Sequence, residues 1–179
     1  YLSDGITLGY GQGIVGDGYR DKTSLVFADV LASTTYGISL GDGGYIEKIR
    51  IGKKTNIKTD TGISLNVTAS TSKWCRIRDC YLDDWENGIW TSSYYHEIDG
   101  CIVTQNKYGI KIGGSGSFAA GATTITSTFF KDNTEVGLTV SANTNSNYCY
   151  NCTFETNQVH INCDGALSIF GGYLADPPV

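Results

Sequence analysis

The sequence contains no Met, only two Pro, and no cluster of Lys and Arg. Without a basic patch, and with a formal net charge of −5, it lacks the electrostatic footprint of a nucleic-acid surface. No apolar run reaches the length of a membrane span and no signal peptide is visible, so neither nucleic acid nor a membrane is expected as a partner. Convincing amphipathic helices are also missing. The absence of Met and a first residue of Tyr1 predict a piece of a longer chain. Against two Pro stand 23 Gly, with Ser, Thr, Asn and Asp plentiful between short apolar runs, a texture that favours an all-β fold with many turns.

What is present is a repeat. Residues 80–85 read CYLDDW, 101–106 CIVTQN, 128–133 TFFKDN and 152–157 CTFETN. An apolar residue stands three positions before each copy, at Ile77, Ile98, Ile125 and Cys149. A second phrase follows each: GIWT, GIKI, GLTV and QVHI, with GISL twice earlier. Each copy reads as three short strands with inward residues at period two. Asp79, Gly100, Ser127 and Asn151 occupy one bend and are types that tolerate a left-handed backbone. Asn106, Asn133 and Asn157 align at the next corner, where stacked amides can bond from turn to turn. Three strands per turn, each turn laid on the last at ~4.8 Å, predict a right-handed single-stranded parallel β-helix of six to seven coils. One domain is expected over 1–179, with an opening coil over 1–34, regular coils over 35–174 and a truncated end over 175–179. GGSGSFAAGA at 113–122 reads as a flexible loop between coils.

The six Cys do not read as a disulfide framework. Cys80, Cys101 and Cys152 share a column with Ile49 and Thr128, which marks small buried fillers in the reduced state. Cys149 and Cys152 form a CxxC, but both fall on the interior and no second CxxC exists, so no metal is expected. Gly11, Gly13 and Gly16 satisfy GxGxxG without the following helix that a dinucleotide site requires, and no cofactor is expected.

Function must then sit on outward side chains. The first strand of successive repeats presents Tyr45 and Glu47, Arg76 and Arg78, Glu97 and Asp99, Thr124 and Thr126, and Tyr148 and Tyr150. Glu97 and Asp99 lie two residues apart, about 6.7 Å, a separation suited to paired carboxylates acting on a glycosidic bond. Arg76 and Arg78, one coil away, suit the carboxylate of an acidic sugar. The competing reading is a charge ladder, Glu47–Arg78–Asp99 with Arg76–Glu97 beside it, that stabilises the sheet. Trp85, Trp90, Tyr94 and Tyr95 near Asp83, Asp84 and Glu86 form a candidate sugar-stacking cluster, or cover loop junctions. His96 is a candidate acid–base group and His160 an exposed structural one. An outward column of Tyr81, Ile102 and Phe129 is too apolar for free solvent and is expected to be an interface in a homotrimer.

With these columns laid out, the chain resembles the pectin-lyase-like right-handed β-helix superfamily, through its I-x-[N/D/G/S]-[C/T]-x-[F/L/V]-x-x-N…G-[I/L] texture and its opening GIVGDG…KTSLVF. Its Asn- and Gly-rich coils, free Cys and outward apolar face look most like a bacteriophage tailspike or tail fibre. That resemblance implies a virion protein, assembled with other tail proteins, that binds and in its intact form depolymerises a bacterial surface polysaccharide, by hydrolysis rather than elimination. The alternatives are a non-enzymatic receptor-binding segment and a bacterial adhesin. The calcium and arginine signatures of pectate lyases and the Asn-Thr-Asp and Gly-His-Gly signatures of polygalacturonases are absent from the sequence.

Overall fold

The structure, a computed structural model, describes residues 1–17, 23–29, 31, 35–55, 58–65, 73–113 and 120–175. Coil 1 comprises β1 (Ile6–Leu8), β2 (Gly13–Val15) and β3 (Ser24–Phe27). Coil 2 comprises β4 (Tyr36–Leu40), β5 (Tyr45–Glu47) and β6 (Arg50–Lys53), and coil 3 β7 (Thr61–Leu65), β8 (Arg76–Arg78) and β9 (Tyr81–Asp83). Coil 4 follows with β10 (Asn87–Thr91), β11 (Glu97–Asp99) and β12 (Ile102–Thr104). Coil 5 has β13 (Tyr108–Ile112), β14 (Ala120–Gly121), β15 (Thr124–Thr126) and β16 (Phe129–Lys131). Coil 6 has β17 (Val136–Val140), β18 (Thr144–Asn145), β19 (Asn147–Tyr150) and β20 (Thr153–Glu155). Coil 7 closes with β21 (Val159–Cys163), β22 (Leu167–Phe170) and β23 (Tyr173–Leu174).

Like strands stack on like. Sheet I runs β1-β4-β7-β10-β13-β17-β21, sheet II β2-β5-β8-β11-β15-β19-β22, and sheet III β3-β6-β9-β12-β16-β20-β23, with β14-β18 as a two-stranded extra. Every pairing is parallel and in register, as in Ile77↔Ile98↔Ile125↔Cys149 along sheet II. This is the right-handed parallel β-helix that the repeat predicts. The glycine-rich opening contributes β2, with Gly13 in the strand, and no helix follows it among the described residues. Most of the 113–122 loop (114–119) and the chain end at 176–179 lie outside the described residues.

Three bends turn each coil, and two of them explain the repeat's letters. Between sheets II and III, Asp79, Gly100, Ser127 and Asn151 all take a left-handed backbone, with φ from 48 to 61°. The next residue does more than fill space: Cys80, Cys101 and Cys152 Sγ point back at the carbonyls of Arg78, Asp99 and Tyr150, and Thr128 Oγ1 donates to Thr126 at 3.0 Å. Cys and Thr interchange on coils 3 to 6 because each is a short side chain ending in a donor, while Ile49 fills the same buried place on coil 2 by packing alone. Burial pushes the Cys75 thiol up to about 11, which keeps it protonated and unreactive.

Between sheets III and I the asparagine ladder forms. Asn106 N and Nδ2 donate to Asn133 Oδ1 at 3.2 and 3.3 Å, and Asn133 N and Nδ2 donate to Asn157 Oδ1 at 3.1 and 2.7 Å. All three side chains are buried. His160 is not free on the surface: its Nδ1 lies 3.4 Å from Asn157 Nδ2 and its Nε2 bonds the Ala175 carbonyl, so it closes the ladder's end. The glycine before Ile38, Ile63, Ile89, Ile110 and Leu138 in sheet I is required by close approach; a Cβ on Gly109, for example, would sit 2.4 Å from the Gly137 carbonyl oxygen.

Candidate functional site

The third bend, between sheets I and II, builds the site. The residue two before the position in register with Glu97 on each coil of sheet II is left-handed on six successive coils: Gly11, Gly43, Trp74, Tyr95, Ala122 and Ser146, with φ from 53 to 66°. Four are small. Two are bulky aromatics, for which a left-handed backbone costs roughly 1–2 kcal/mol each. Trp74 is 65% exposed and Tyr95 45% exposed, so burial does not offset that cost. Because the bend repeats in register, the two rings stack at 4.6 Å with an interplanar angle of 11°. Backbone bridges Lys73↔Tyr94 and Tyr94↔Gly121, beside β14-β18, brace the corner.

The rings border a cleft of about 660 Å³ lined by Trp74, Arg76, Tyr95, Glu97, Thr124 and Thr126, among others. Sheet II supplies its floor, with Glu97 registered between Arg76 and Thr124. The registers of the expected ladder are present, but the ion pair that forms is diagonal: Arg78 Nη2 meets Glu97 Oε1 at 2.5 Å. Arg76 and Asp99 form no ion pair among the described residues. The cleft therefore holds an exposed guanidinium that lies 6.0 Å from the Tyr45 ring and has no ion pair among the described residues, a carboxylate already engaged from one side, and an aromatic slab. That combination can stack on a ring and bond a polar or anionic edge.

Of the residues that the sequence singles out, Arg76, Tyr95 and Glu97 come together here. Arg78 and Asp99 flank them on the same sheet. Tyr94 is half-buried and sits in the bracing ladder, its ring 6.0 Å from that of Tyr95. Trp90 lies elsewhere, on sheet I, with Nε1 donating to the Gly113 carbonyl at 2.8 Å and Lys111 Nζ 5.6 Å from its ring. Trp85 must be corrected outright. It is fully buried, donates from Nε1 to the Ile51 carbonyl at 3.1 Å and packs edge-on against Phe27, so no sugar reaches it. Its alignment with Asn106, Asn133 and Asn157 in the repeat was the signal that it points inward. Trp74 was missed, although it precedes Arg76 by the same two residues that separate Tyr95 from Glu97.

His96 lines the cleft wall from inside and is 2% exposed. Its Nε2 lies 2.7 Å from Ser93 Oγ, and that hydroxyl donates to the Leu65 carbonyl at 3.0 Å. The imidazole is thus the donor to Ser93, the reverse of what a base activating a nucleophile needs. Nδ1 is buried without a partner. The pair belongs to the interior, and His96 is not a surface acid–base group. Burial pushes its pKa down to about 4, with Asp42 opposing weakly. The unfolded chain then takes up the proton first. Stability is fully present above the ordinary value of 6.5 and is lost as pH falls to about 4, by roughly 3 kcal/mol. Urea midpoints at about pH 7 and about pH 4.5 should separate the parent from His96→Gln, which lacks this component. Equal losses in the two proteins would show that His96 is not its source.

The model of a family described as right handed beta helix region matches residues 61–171. The chain belongs to that family. No curated protein and no solved structure matches it. The match spans coils 3 to 7, the stretch that contains the aromatic stack and the floor of the cleft. The cleft itself is made of outward residues and bends, not of the inward columns.

Proposed function

We propose that this β-helix recognises polysaccharide, in the manner of a phage tailspike segment that engages a bacterial capsule or O-antigen from the virion. The observation that carries the reading is the exposed Trp74–Tyr95 stack, held at two unfavourable backbone positions beside Arg76 and Glu97. Strain of this kind persists where it serves a site, and aromatic faces with adjacent charged groups suit the C–H face and hydroxyl edge of a sugar. Glu97 and Asp99 are the proposed catalytic pair if the protein also cleaves, with hydrolysis favoured over elimination. A binding-only role is the second reading. It is favoured by the Arg78–Glu97 ion pair, which occupies one of the two carboxylates.

The test is incubation with a panel of purified capsular and O-antigen polysaccharides, following binding, new reducing ends and unsaturated products together. Binding with reducing ends alone identifies a hydrolase, and both products together a lyase. Binding without either supports the recognition module. If cleavage occurs, Glu97→Ala and Asp99→Ala should each abolish it; parent rates in both would remove the pair from consideration. The absence of binding to any member would sink the carbohydrate reading. Tyr81, Ile102 and Phe129, half-buried and in register on the outer face of sheet III, are the proposed contact of a homotrimer. A monomeric mass by sedimentation equilibrium would contradict that contact.

A further inference from the structure

Three consecutive coils present very different outer faces at sheet II and its leading bend. Coil 4 shows Tyr95, Glu97 and Asp99. Coil 6 shows Ser146, Tyr148 and Tyr150. Between them coil 5 shows only Ala122, Thr124 and Thr126. The registers Glu97↔Thr124↔Tyr148 and Asp99↔Thr126↔Tyr150 set these rows side by side. Small residues between two rows of large ones make a trough. Its walls stand two strand spacings apart, about 9.6 Å between backbones, and its floor from 122 to 126 runs about 13 Å.

The trough is chemically sided. One wall carries the Glu97 and Asp99 carboxylates, which accept hydrogen bonds, and the other carries the Tyr148 and Tyr150 phenols, which both donate and accept. The floor offers two threonine hydroxyls. At its mouth the Trp74–Tyr95 rings stack along the helix axis at 4.6 Å, close to the coil spacing, so the free face of Tyr95 is turned toward Ala122 in coil 5. A ring with an apolar face and a hydroxyl edge fits that corner, and its neighbours in a chain fit the trough beyond.

We propose that a glycan strand lies across the β-helix in this trough, one ring on Tyr95 and the chain following the strand direction of coil 5, not the helix axis. This rests on the carbohydrate reading. It adds the orientation of the chain and two wall residues, Tyr148 and Tyr150, that the cleft alone does not include.

The experiment measures affinity for the same capsular and O-antigen panel. Thr124→Trp, which fills the floor from an outward position, should weaken binding by about tenfold or more. Tyr148→Ala removes bulk instead of adding it and should weaken binding in the same direction, so the test survives if T124W fails to fold. Val15→Ala and Ser168→Trp, in the first and last strands of sheet II, should leave affinity within about twofold. Parent affinity in folded T124W and in Tyr148→Ala would overturn the trough while leaving the carbohydrate reading in place. Losses at Val15 and Ser168 as large as those at Thr124 would overturn the transverse orientation in favour of an axial one. If no panel member binds the parent protein, the carbohydrate reading falls and the trough falls with it.

Discussion

Trp85→Ala is expected to destabilise the protein by about 3–5 kcal/mol while leaving the affinity of the remaining folded molecules for polysaccharide unchanged. Trp85 is the largest fully buried side chain, and it fills the interior of coils 1 to 3. Gly37 and Gly62 make room for it: a Cβ on either would come within 3.0 Å of its ring. Removing the indole leaves a void lined by Phe27 and takes the hydrogen bond from the Ile51 carbonyl. It also strips one partner from Lys53, whose buried ammonium lies 5.0 Å from the ring and otherwise bonds Asp29 O, Thr59 Oγ1 and Asp60 Oδ2. Urea denaturation reads the loss. A stable variant with weakened binding would return Trp85 to the surface role that its aromatic neighbours suggested.

Asn133→Ala is the second large effect, about 3 kcal/mol. The side chain is the middle rung of the amide ladder, with one amide above and one below. Alanine leaves Asn106 N without its 3.2 Å acceptor, the Val103 carbonyl without its 3.0 Å donor, and Asn157 Oδ1 with one donor fewer. Each buried group left unsatisfied costs about 1–3 kcal/mol, far more than a hydrogen bond contributes net when both partners are kept. Asn157→Ala, at the ladder's end beside His160, should cost less than Asn133→Ala because fewer rungs depend on it. Equal, small losses at both positions would mean that the amides act singly and not as a ladder.

These two residues also show where sequence reading works and where it stops. The inward columns are legible because burial imposes a period of two within strands and the stack imposes the same letter on every coil. The asparagine corner and the left-handed bend at Asp79, Gly100, Ser127 and Asn151 follow from that alignment. Trp85 stood in the same column, but its chemistry drew attention to the surface instead of its position to the core. The cleft was harder to read. Its aromatic pair lies at a bend whose other members are Gly, Ala and Ser, so no repeated letter marks the column, and Trp74 follows a stretch with little repeat texture. The charge ladder was correct in register and wrong in its contacts, because strand pairing fixes backbones while a long arginine chooses between a direct and a diagonal partner. Arg78 takes Glu97 diagonally, and Arg76 lies in the cleft over the Tyr45 ring, with no ion pair among the described residues.

The measurement that bears most directly on the account is Tyr95→Gly, read for stability and polysaccharide affinity on one sample. Tyr95 sits at φ 64°, which glycine adopts freely, so relief of roughly 1 kcal/mol of strain nearly offsets the lost stacking on Trp74, worth about 0.5–1.5 kcal/mol. The account predicts a melting temperature within a few degrees of the parent's and affinity reduced by about tenfold or more. Parent-like binding in a stable variant would mean that the stack is not a ligand platform. Unfolding in step with the loss of binding would mean that it serves the fold.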